Sequence, residues 1–241
     1  MIDFILVSLD NYEDVNHTLE SILASNLIDV RVIFIDSSHD NRIKQLSESV
    51  SLDFVYIHEP PMGIYHAMNS GLKITRAEAF VWFLNPGDVI SHNFEIQKLS
   101  NLMKIREINW IVVQAQHEIR SELPFPLLES DFNRKHILTG KTRISHQAFL
   151  CRSKTLQIYG KFSSDLKFTS DLDLISKVIP KEFGAFLPEL GVIYKVGGIS
   201  FQNLGWVRFE TMKLQLNAAI FSPKYLLNSL KVITRNMFRI K

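Results

Sequence analysis

The sequence predicts an α/β fold with a mostly parallel central sheet that is flanked by helices. Short β-branched or aromatic runs alternate with helix-like stretches through the first half of the chain, a pattern typical of parallel sheets. Hydrophobic residues make up 46% and charged residues 22% of the 241 residues, a balance typical of globular proteins. A chain of this length can bury one sizeable core, so we expect one large domain.

The predicted elements of the first half follow one another as strand and helix. Strands are predicted over 3–7, 30–35, 54–57 and 79–84. Helices are predicted over 64–74, over 41–50, and after Asn11, where apolar residues recur at helical spacing from Val15. Pro60 breaks the chain before the third helix, and Gly87 closes the turn after the fourth strand.

The second half is less regular. Strands are predicted over 110–114 and 145–151, and a helix over 171–178. A Pro- and Gly-containing loop is predicted over 121–143, where it would shape a pocket. The chain reads as helical and amphipathic from Trp206 onward, so we divide it into a main domain, 1–203, and a C-terminal helical extension, 204–241.

Charge and cysteine content restrict the function classes. A net charge of +2 does not indicate nucleic-acid binding. Cys151 is the single cysteine, so it predicts a small buried hydrophobe rather than a disulfide or a metal site. The N-terminus carries Asp3 where an export signal would carry bases, and no apolar run reaches the roughly 20 residues of a membrane span. We therefore expect a cytoplasmic protein.

The stretch 221–241 is basic and apolar. It contains Lys224, Lys231, Arg235, Arg239 and Lys241 and no acid. Such a segment can lie peripherally on an anionic membrane, here the inner face. It can equally form a helix that packs on the main domain with a solvated basic face, and both alternatives stay open.

Two acids follow predicted strands, and ligands of open α/β sheets bind beyond the carboxyl ends of strands. Asp36 could accept hydrogen bonds from a nucleotide base or ribose, although Ser38 or Asp40 could equally just begin the next helix. Asp88 follows an Asn-Pro-Gly turn, which presents its carboxylate. A nucleotide diphosphate needs a divalent cation, which prefers carboxylate oxygens. Taken alone, however, the four residues 85–88 most often form only a turn.

Two further acids lie at the start of the helix over 171–178. Residues two apart on a helix point about 200° apart, so Asp171 and Asp173 cannot both face one pocket. Ser170 and Asp173 have the spacing of a capping box. Asp171 is then the better candidate for a catalytic base, with a simple helix-dipole role as the alternative. His146 could touch a phosphate or the acceptor, or be a structural histidine on a strand.

Together these segments resemble the family 2 glycosyltransferases with the GT-A fold, and more narrowly the bacterial polysaccharide-assembly members. The resemblance runs from about Phe4 to Ser200. It is carried by the order and spacing of five motifs, which are Gly63-Ile64-Tyr65-His66-Ala67-Met68-Asn69, Phe83-Leu84-Asn85-Pro86-Gly87-Asp88, Ser145-His146-Gln147-Ala148-Phe149, Ser170-Asp171-Leu172-Asp173-Leu174 and Gly197-Gly198-Ile199-Ser200.

The resemblance implies an inverting transfer, from a nucleotide-sugar donor to an acceptor hydroxyl, in cell-surface polysaccharide, lipopolysaccharide or lipid-linked oligosaccharide synthesis. It implies that Asp171 is the general base, that Asp36 contacts the nucleobase, and that Asp88 is the surviving acid of a Mn²⁺ or Mg²⁺ site. The loop over 197–200 would close over the active site. The predicted donor-site residues are Ser8, Asp36, Gly63, Asn69, Asp88 and His146.

The chain departs from the family pattern at several of these positions. The family often has Asp where this chain has His66 and Lys where it has Ser70, and other members carry a second metal-binding acid where it has Asn85 and Gly87. A catalytically degenerate binding or scaffold protein is therefore an alternative. A nucleotidyltransferase is disfavoured, because residues 7–11 lack a Gly-rich, basic phosphate loop.

Overall fold

The computed structural model describes residues 1–119, 123–128, 130–195 and 197–220. Within these residues the chain forms one eight-stranded sheet with the strand order β3-β2-β1-β4-β7-β6-β8-β5. The strands are β1 (Ile2–Ser8), β2 (Val30–Asp36), β3 (Asp53–His58), β4 (Phe80–Leu84), β5 (Val89–Ile90), β6 (Trp110–His117), β7 (Phe149–Arg152) and β8 (Gly184–Tyr194).

Helices lie on both faces of the sheet. They are α1 (Tyr12–Ala24), α2 (Arg42–Ser49), α3 (Ile64–Leu72), α4 (Ile96–Lys104), α5 (Arg134–Thr139), α6 (Ser153–Tyr159), α7 (Ser170–Val178), α8 (Ile199–Gln202) and α9 (Leu204–Asn217). Side chains alternate across a strand, so Phe4 and Leu6 of β1 pack in one core cluster with α1, whereas Ile5 and Val7 pack in a second cluster with α3 and α7.

The predicted α/β fold with a mostly parallel sheet is confirmed. Strands β3, β2, β1 and β4 pair in parallel, as do β6 and β8. β7 is antiparallel to both of its neighbours, and β5 is antiparallel to β8. The parallel half brings the carboxyl ends of β1, β2 and β4 to one edge, which is where the predicted site residues lie.

Several local predictions were wrong. The segment predicted as one strand over 145–151 begins as a 3-10 turn at His146–Ala148 and becomes β7 only at Phe149. The predicted loop over 121–143 contains α5, and residues 121, 122 and 129 of it lie outside the described residues. Asn11 precedes α1, but its side chain makes no capping hydrogen bond. β8, which contains Pro188, was not predicted.

Two buried side chains at the sheet have structural roles. Cys151 is buried in β7, as expected of a small hydrophobe, and burial raises the pKa of its thiol. Arg152 is also buried; its Nε donates to the carbonyl of Ile108 at 2.7 Å and its Nη2 to that of Ile105 at 3.1 Å. Its guanidinium stacks over the Phe80 ring at 4.5 Å. Arg152 thus satisfies backbone acceptors just after α4.

Helix α9 is tied to the main domain by buried hydrogen bonds. Glu210 accepts hydrogen bonds from the backbone N–H groups of residues 167, 168 and 169, just before α7. Gln215 donates to the carbonyl of Leu138 at the end of α5, at 2.7 Å. The predicted boundary between 203 and 204 coincides with the start of α9 and stays a prediction.

The predicted basic amphipathic segment over 221–241 lies outside the described residues.

In the part of the chain that the structure describes, no helix has the length and apolar content needed to cross a lipid bilayer.

Candidate active site

The ends of β1 and β2 place Ser8 and Asp36 side by side. They are register partners in the parallel ladder. The loops that follow are tied together, because the backbone N–H of Asp10 donates to Ser38 Oγ at 2.8 Å. Ser8 Oγ is buried and has no hydrogen-bond partner. An unpaired buried hydroxyl is destabilising, so this edge of the sheet has an unused polar atom that a ligand could satisfy.

Asp36 is fully buried, and both of its oxygens accept hydrogen bonds. Oδ1 accepts from the backbone N–H of Ser38 at 3.0 Å, and Oδ2 accepts from the Tyr56 hydroxyl at 2.8 Å. Burial and this hydrogen bond raise the pKa of Tyr56. Each carboxylate oxygen keeps a second lone pair, so Asp36 could still accept from a nucleobase, and that role stays a prediction.

Asp88 is buried in the turn after β4. Its Oδ2 accepts from the backbone N–H of Asn85 at 2.8 Å, and its Oδ1 accepts from that of Lys195 at 3.1 Å. Burial raises its pKa from the ordinary 3.8 to about 6. The expectation that the turn presents the Asp88 carboxylate to solvent is therefore wrong. Asp88 points into the protein and holds the turn against the end of β8.

Gly87 is required by the backbone and by the space around it. Its φ is +92°, a conformation that favours glycine, and a Cβ built there would lie 2.5 Å from Lys195 Cδ. An acid at position 87, as in other members of the family that the sequence resembles, would therefore need both a strained backbone and a displaced Lys195. The methylenes of Lys195 fill this space, and its Nζ pairs with Asp14.

These residues do not form a ready metal site. No group of three or more His, Cys, Asp or Glu side chains that could hold a metal ion occurs among the described residues. Both oxygens of Asp88 are directed at backbone N–H groups. The amide oxygen of Asn85 is buried without a partner, and it would offer only one neutral ligand. As arranged, Asp88 and Asn85 do not fit direct coordination of a cation.

Asp171, on the first turn of α7, is the centre of a hydrogen-bonded chain. Tyr65 donates from α3 to Oδ1 at 2.9 Å, and Nδ1 of His146 lies 3.0 Å from Oδ2. Nε2 of His146 in turn lies 3.0 Å from Nδ2 of Asn85. The Asp171 side chain keeps 23% of its surface exposed. Two residues from distant chain positions, Tyr65 and His146, thus meet at one partly open carboxylate, and Asn85 supports His146 from behind.

The donors around Asp171 keep it ionised. Burial acts to raise its pKa, but the hydrogen bonds from His146, the N–H of Leu172 and the Tyr65 hydroxyl outweigh burial and lower the pKa. Burial, and next the charge and hydrogen bond of Asp171, raise the pKa of Tyr65. Tyr65 therefore remains a proton donor to a charged carboxylate.

One oxygen of Asp171 is left with a free lone pair. Asn85 Nδ2 can only donate, so His146 Nε2 accepts and its Nδ1 carries the proton toward Asp171 Oδ2. Oδ1 accepts two hydrogen bonds, from Tyr65 and from the N–H of Leu172 at 2.8 Å. Oδ2 is therefore the oxygen that can accept a further proton donor.

Asp173 has a different environment from Asp171, as the helical spacing predicts. Its Oδ2 pairs with Lys177 one turn further along α7. The predicted capping box is wrong: Ser170 Oγ accepts instead from the backbone N–H of Ser163, and no side-chain cap is made at Thr169. The carboxylate of Glu210 satisfies the N–H groups before α7 instead, because α9 packs there.

The remaining predicted residues lie on and before α3. Gly63 precedes α3 with a φ of +99°. Asn69 pairs with Phe162, donating from Nδ2 to its carbonyl and accepting its N–H at Oδ1, both at 2.9 Å. His66 Nδ1 lies 3.3 Å from Glu59 Oε1. Asn69 thus ties α3 to the loop before α7, and its donor-site role, like that of Gly63, stays a prediction.

Sequence reasoning missed Tyr65, Tyr56, Lys195 and Glu210. Tyr65 lies inside a motif, yet nothing local indicates a contact with a residue 106 positions away. Lys195 and Asp88 are 107 positions apart. Their roles follow from tertiary packing, which local sequence patterns do not reveal.

Solved structures share this fold. S. aureus TarS 1-349 is 14% identical with a TM-score of 0.70, and the match covers 90% of this chain and 65% of that one. TarS 1-349 in complex with UDP-GlcNAc is 14% identical with a TM-score of 0.70, covering 100% and 73%. The mannosyltransferase PcManGT from Pyrobaculum calidifontis, in complex with GDP-Man and Mn²⁺, is 12% identical with a TM-score of 0.65, covering 95% and 68%.

At these identities the likeness shows the fold, which is GT-A-like. The chain spans 65% of the length of TarS 1-349 and 44% of the longer TarS structure. A sequence search of the curated proteins finds no match. The sequence profile of Glycosyl transferase family 2 matches residues 3–160, well over half of the chain. The resemblance read from the motifs is thereby confirmed, and the chain belongs to glycosyl transferase family 2.

Proposed function

We propose that the protein is an inverting glycosyltransferase that moves a sugar, a hexosyl group, from a nucleotide-sugar donor to an acceptor hydroxyl. The observation that carries this proposal is the partly exposed, ionised Asp171, held by Tyr65 and His146 beside the turn after β4. Family membership supports the reaction class. Structural neighbours in complex with UDP-GlcNAc and GDP-Man support a nucleotide-sugar donor.

The donor would bind along the carboxyl ends of β1, β2 and β4. Buried polar atoms without partners are Ser8 Oγ at the end of β1, Asn85 Oδ1 after β4, and Ser145 Oγ beside His146. Each such atom costs about 1–3 kcal/mol when it stays unpaired. All three atoms are buried, so a ligand would pair with them only after the strand ends open locally, and such an opening favours a polar ligand over an apolar one.

Asp171 is the general base of this proposal. The acceptor hydroxyl donates to Asp171 Oδ2, and its oxygen attacks the anomeric carbon as its proton passes to the carboxylate. The bond between the anomeric carbon and the diphosphate oxygen breaks, and its electron pair leaves with the nucleoside diphosphate. Attack from the face opposite the leaving group inverts the anomeric centre. A positioned base contributes about 10²–10⁴-fold.

His146 and Tyr65 act through Asp171 in this mechanism. Their hydrogen bonds fix the carboxylate and leave Oδ2 free toward the acceptor. Correct placement of two reactants is itself a large part of enzymatic rate. The contact of His146 with a donor phosphate or the acceptor, predicted from the sequence, is a separate proposal, and it requires one ring nitrogen to give up its present partner, Asp171 or Asn85.

The divalent cation predicted from the sequence, Mn²⁺ or Mg²⁺ at Asp88, stays a separate prediction. PcManGT was solved with Mn²⁺, which supports it. The burial of Asp88 and its two backbone hydrogen bonds speak against direct coordination. Transfer measured with EDTA and with added Mn²⁺ tests this point. A rate that does not change with EDTA would refute a required cation.

The proposed function is tested by nucleotide release from a panel of nucleotide sugars, each with and without saccharide acceptors. Release that depends on both substrates is the expected result. The alternative, a degenerate scaffold, is supported by the reduced metal element, in which Asn85 and Gly87 stand where a second acid would be expected. It predicts that nucleotide sugars raise the melting temperature but that no pair of substrates releases nucleotide.

The setting we propose is cytoplasmic assembly of a surface polysaccharide, of lipopolysaccharide, or of a lipid-linked oligosaccharide. This rests on the resemblance to bacterial polysaccharide-assembly enzymes.

A further inference from the structure

Helix α9 exposes apolar side chains and buries mostly polar ones, the reverse of the usual surface helix of a globular protein. Its outer face carries Trp206, Phe209 and Leu216, which are 61%, 46% and 55% exposed. Lys213 lies among them at helical spacing. Surface helices normally turn their apolar stripe inward. The buried residues of α9 are instead mostly polar, namely Glu210, Thr211 and Gln215, with Leu214.

Specific hydrogen bonds fix this orientation. Glu210 binds three backbone N–H groups and the hydroxyl of Thr169. Gln215 donates to the Leu138 carbonyl, and Leu214 packs with Leu138. Turning the helix to bury Trp206 would take Glu210 away from the three N–H groups and bury the Lys213 ammonium, which lies on the same face as Trp206, and both changes are unfavourable. The apolar face is therefore held outward by the protein's own contacts.

The segments next to α9 are rich in bases. Helix α5 packs against α9, and residues 133–143 contain Arg134, Lys135, Lys141 and Arg143, with Asp131 as the acid just before them. The residues that follow α9 in sequence, 221–241, contain five bases, no acid and several large apolar residues. Exposed aromatic side chains among Lys and Arg are typical of surfaces that lie in the headgroup region of an anionic bilayer.

We propose that the outer face of α9 docks the protein on an anionic lipid bilayer. Trp206 and Phe209, whose rings meet edge to face at 6.0 Å, enter the headgroup region together with Leu216. The exposed ammonium of Lys213 on the same face meets lipid phosphates, as do the exposed Lys135 and Lys141 of the α5 segment. Large apolar patches on a protein surface mark interaction sites. The basic surroundings select an anionic membrane over a second protein surface.

Docking has a consequence for the proposed active site. Glu210 joins α9 to the segment just before α7, and Asp171 lies on the first turn of α7. A bilayer on α9 would therefore lie beside the helix that carries the proposed base, where a lipid-linked acceptor could reach it. This consequence rests on the proposed function, whereas vesicle binding itself does not.

The test uses the full chain and vesicles, without donor or acceptor. Vesicles of phosphatidylglycerol and phosphatidylcholine are compared with vesicles of phosphatidylcholine alone by co-sedimentation. Trp82 and Trp110 are buried, so Trp206 reports on its own surroundings. We expect anionic vesicles to bind the protein, to shift its tryptophan emission to the blue, and to protect it from acrylamide. Binding should weaken as salt is added.

The variant Trp206→Ala/Phe209→Ala should bind anionic vesicles at least about tenfold more weakly, because binding strength follows the apolar area that is buried. Its melting temperature should not fall, since both side chains are exposed. The matched control is Ile28→Ala/Phe183→Ala, which removes apolar side chains that are 86% and 66% exposed elsewhere. The control should bind as the wild type does.

Three results would overturn the proposal. The double variant could bind vesicles as tightly as the wild type, which would assign any membrane contact to other residues. The wild type could form a dimer in light scattering that the double variant loses, which would make the face a self-interface. Trp206 could already be shielded from acrylamide without vesicles, which would mean that the chain covers the face itself. Vesicle binding without sugar transfer would instead refute only the proposed function.

Discussion

The substitution Asp171→Asn should remove most sugar transfer while leaving nucleotide binding almost unchanged. The asparagine can keep the hydrogen bonds from Tyr65 and Leu172 at its carbonyl oxygen. Its Nδ2 would face His146 Nδ1, so the imidazole must shift its proton to Nε2, and the Asn85 amide must turn to accept it. Both adjustments are local, and we expect the variant to fold.

The size of the effect follows from what the carboxylate supplies. A general base is worth about 10²–10⁴ in rate, which corresponds to about 3–5 kcal/mol of activation free energy at 1.36 kcal/mol per tenfold. The side chain of Asp171 is partly exposed and has one oxygen with a free lone pair. An amide nitrogen at that place cannot take up the acceptor proton, so kcat should fall with little change in donor affinity.

The assay measures nucleotide release under saturating donor and acceptor, and donor affinity by thermal shift. The matched control is Asp173→Asn, on the same helix and two residues away. Asp173 pairs with Lys177, so the control should keep a rate within a few-fold of the wild type. Transfer by Asp171→Asn at the wild-type rate, or a larger loss in the control, would refute the assignment of the base.

Three further predictions concern residues around the site and the sheet. His146→Gln disrupts the hydrogen bond that lowers the pKa of Asp171, so the acid limb of the pH profile of kcat/KM should move to higher pH; a move to lower pH would contradict this. Asp88 has a folded pKa raised from 3.8 to about 6, so the wild type should lose about 3 kcal/mol of stability as pH rises through that window. In urea unfolding measured from pH 4 to pH 7, Asp88→Asn should not show this loss. A difference in the free energy of unfolding between wild type and variant that stays constant over this range would contradict the prediction. Arg152→Leu leaves several backbone carbonyls without a donor, so the free energy of unfolding should fall by about 3 kcal/mol with an unchanged urea m-value, whereas a change below about 0.5 kcal/mol would show that water replaces the guanidinium.

The first half of the fold could be predicted because its signals are local. β1, β2 and β4 are short apolar runs that are buried on both faces, as parallel strands are. The second half could not be predicted as well. β8 contains Pro188 and Gly191 and carries a register shift against β6, so it has neither a continuous apolar run nor a clean alternation. The turn at His146–Ala148 is too short to have a periodicity of its own.

The site was partly predictable for the same reason. Helical geometry separates Asp171 from Asp173, because residues two apart cannot share a face. The predicted strands also placed Asp36 and Asp88 after strand ends, and parallel pairing sets Asp36 beside Ser8. The same reasoning predicted that Asp88 would be presented and that Ser170 would cap α7, and both predictions were wrong, since each depends on a partner that is distant in sequence.

The sequence by itself therefore determined the fold class, the family resemblance and the choice of acids, because these depend on residue type and on spacing within a few turns. The tertiary structure alone decided which of these groups meet. It joined Tyr65, His146 and Asn85 around Asp171, buried Asp88 against Lys195, and turned Trp206 outward by anchoring Glu210 at α7. Long-range hydrogen bonds form only where packing brings their partners together, and no local pattern in the chain encodes that packing.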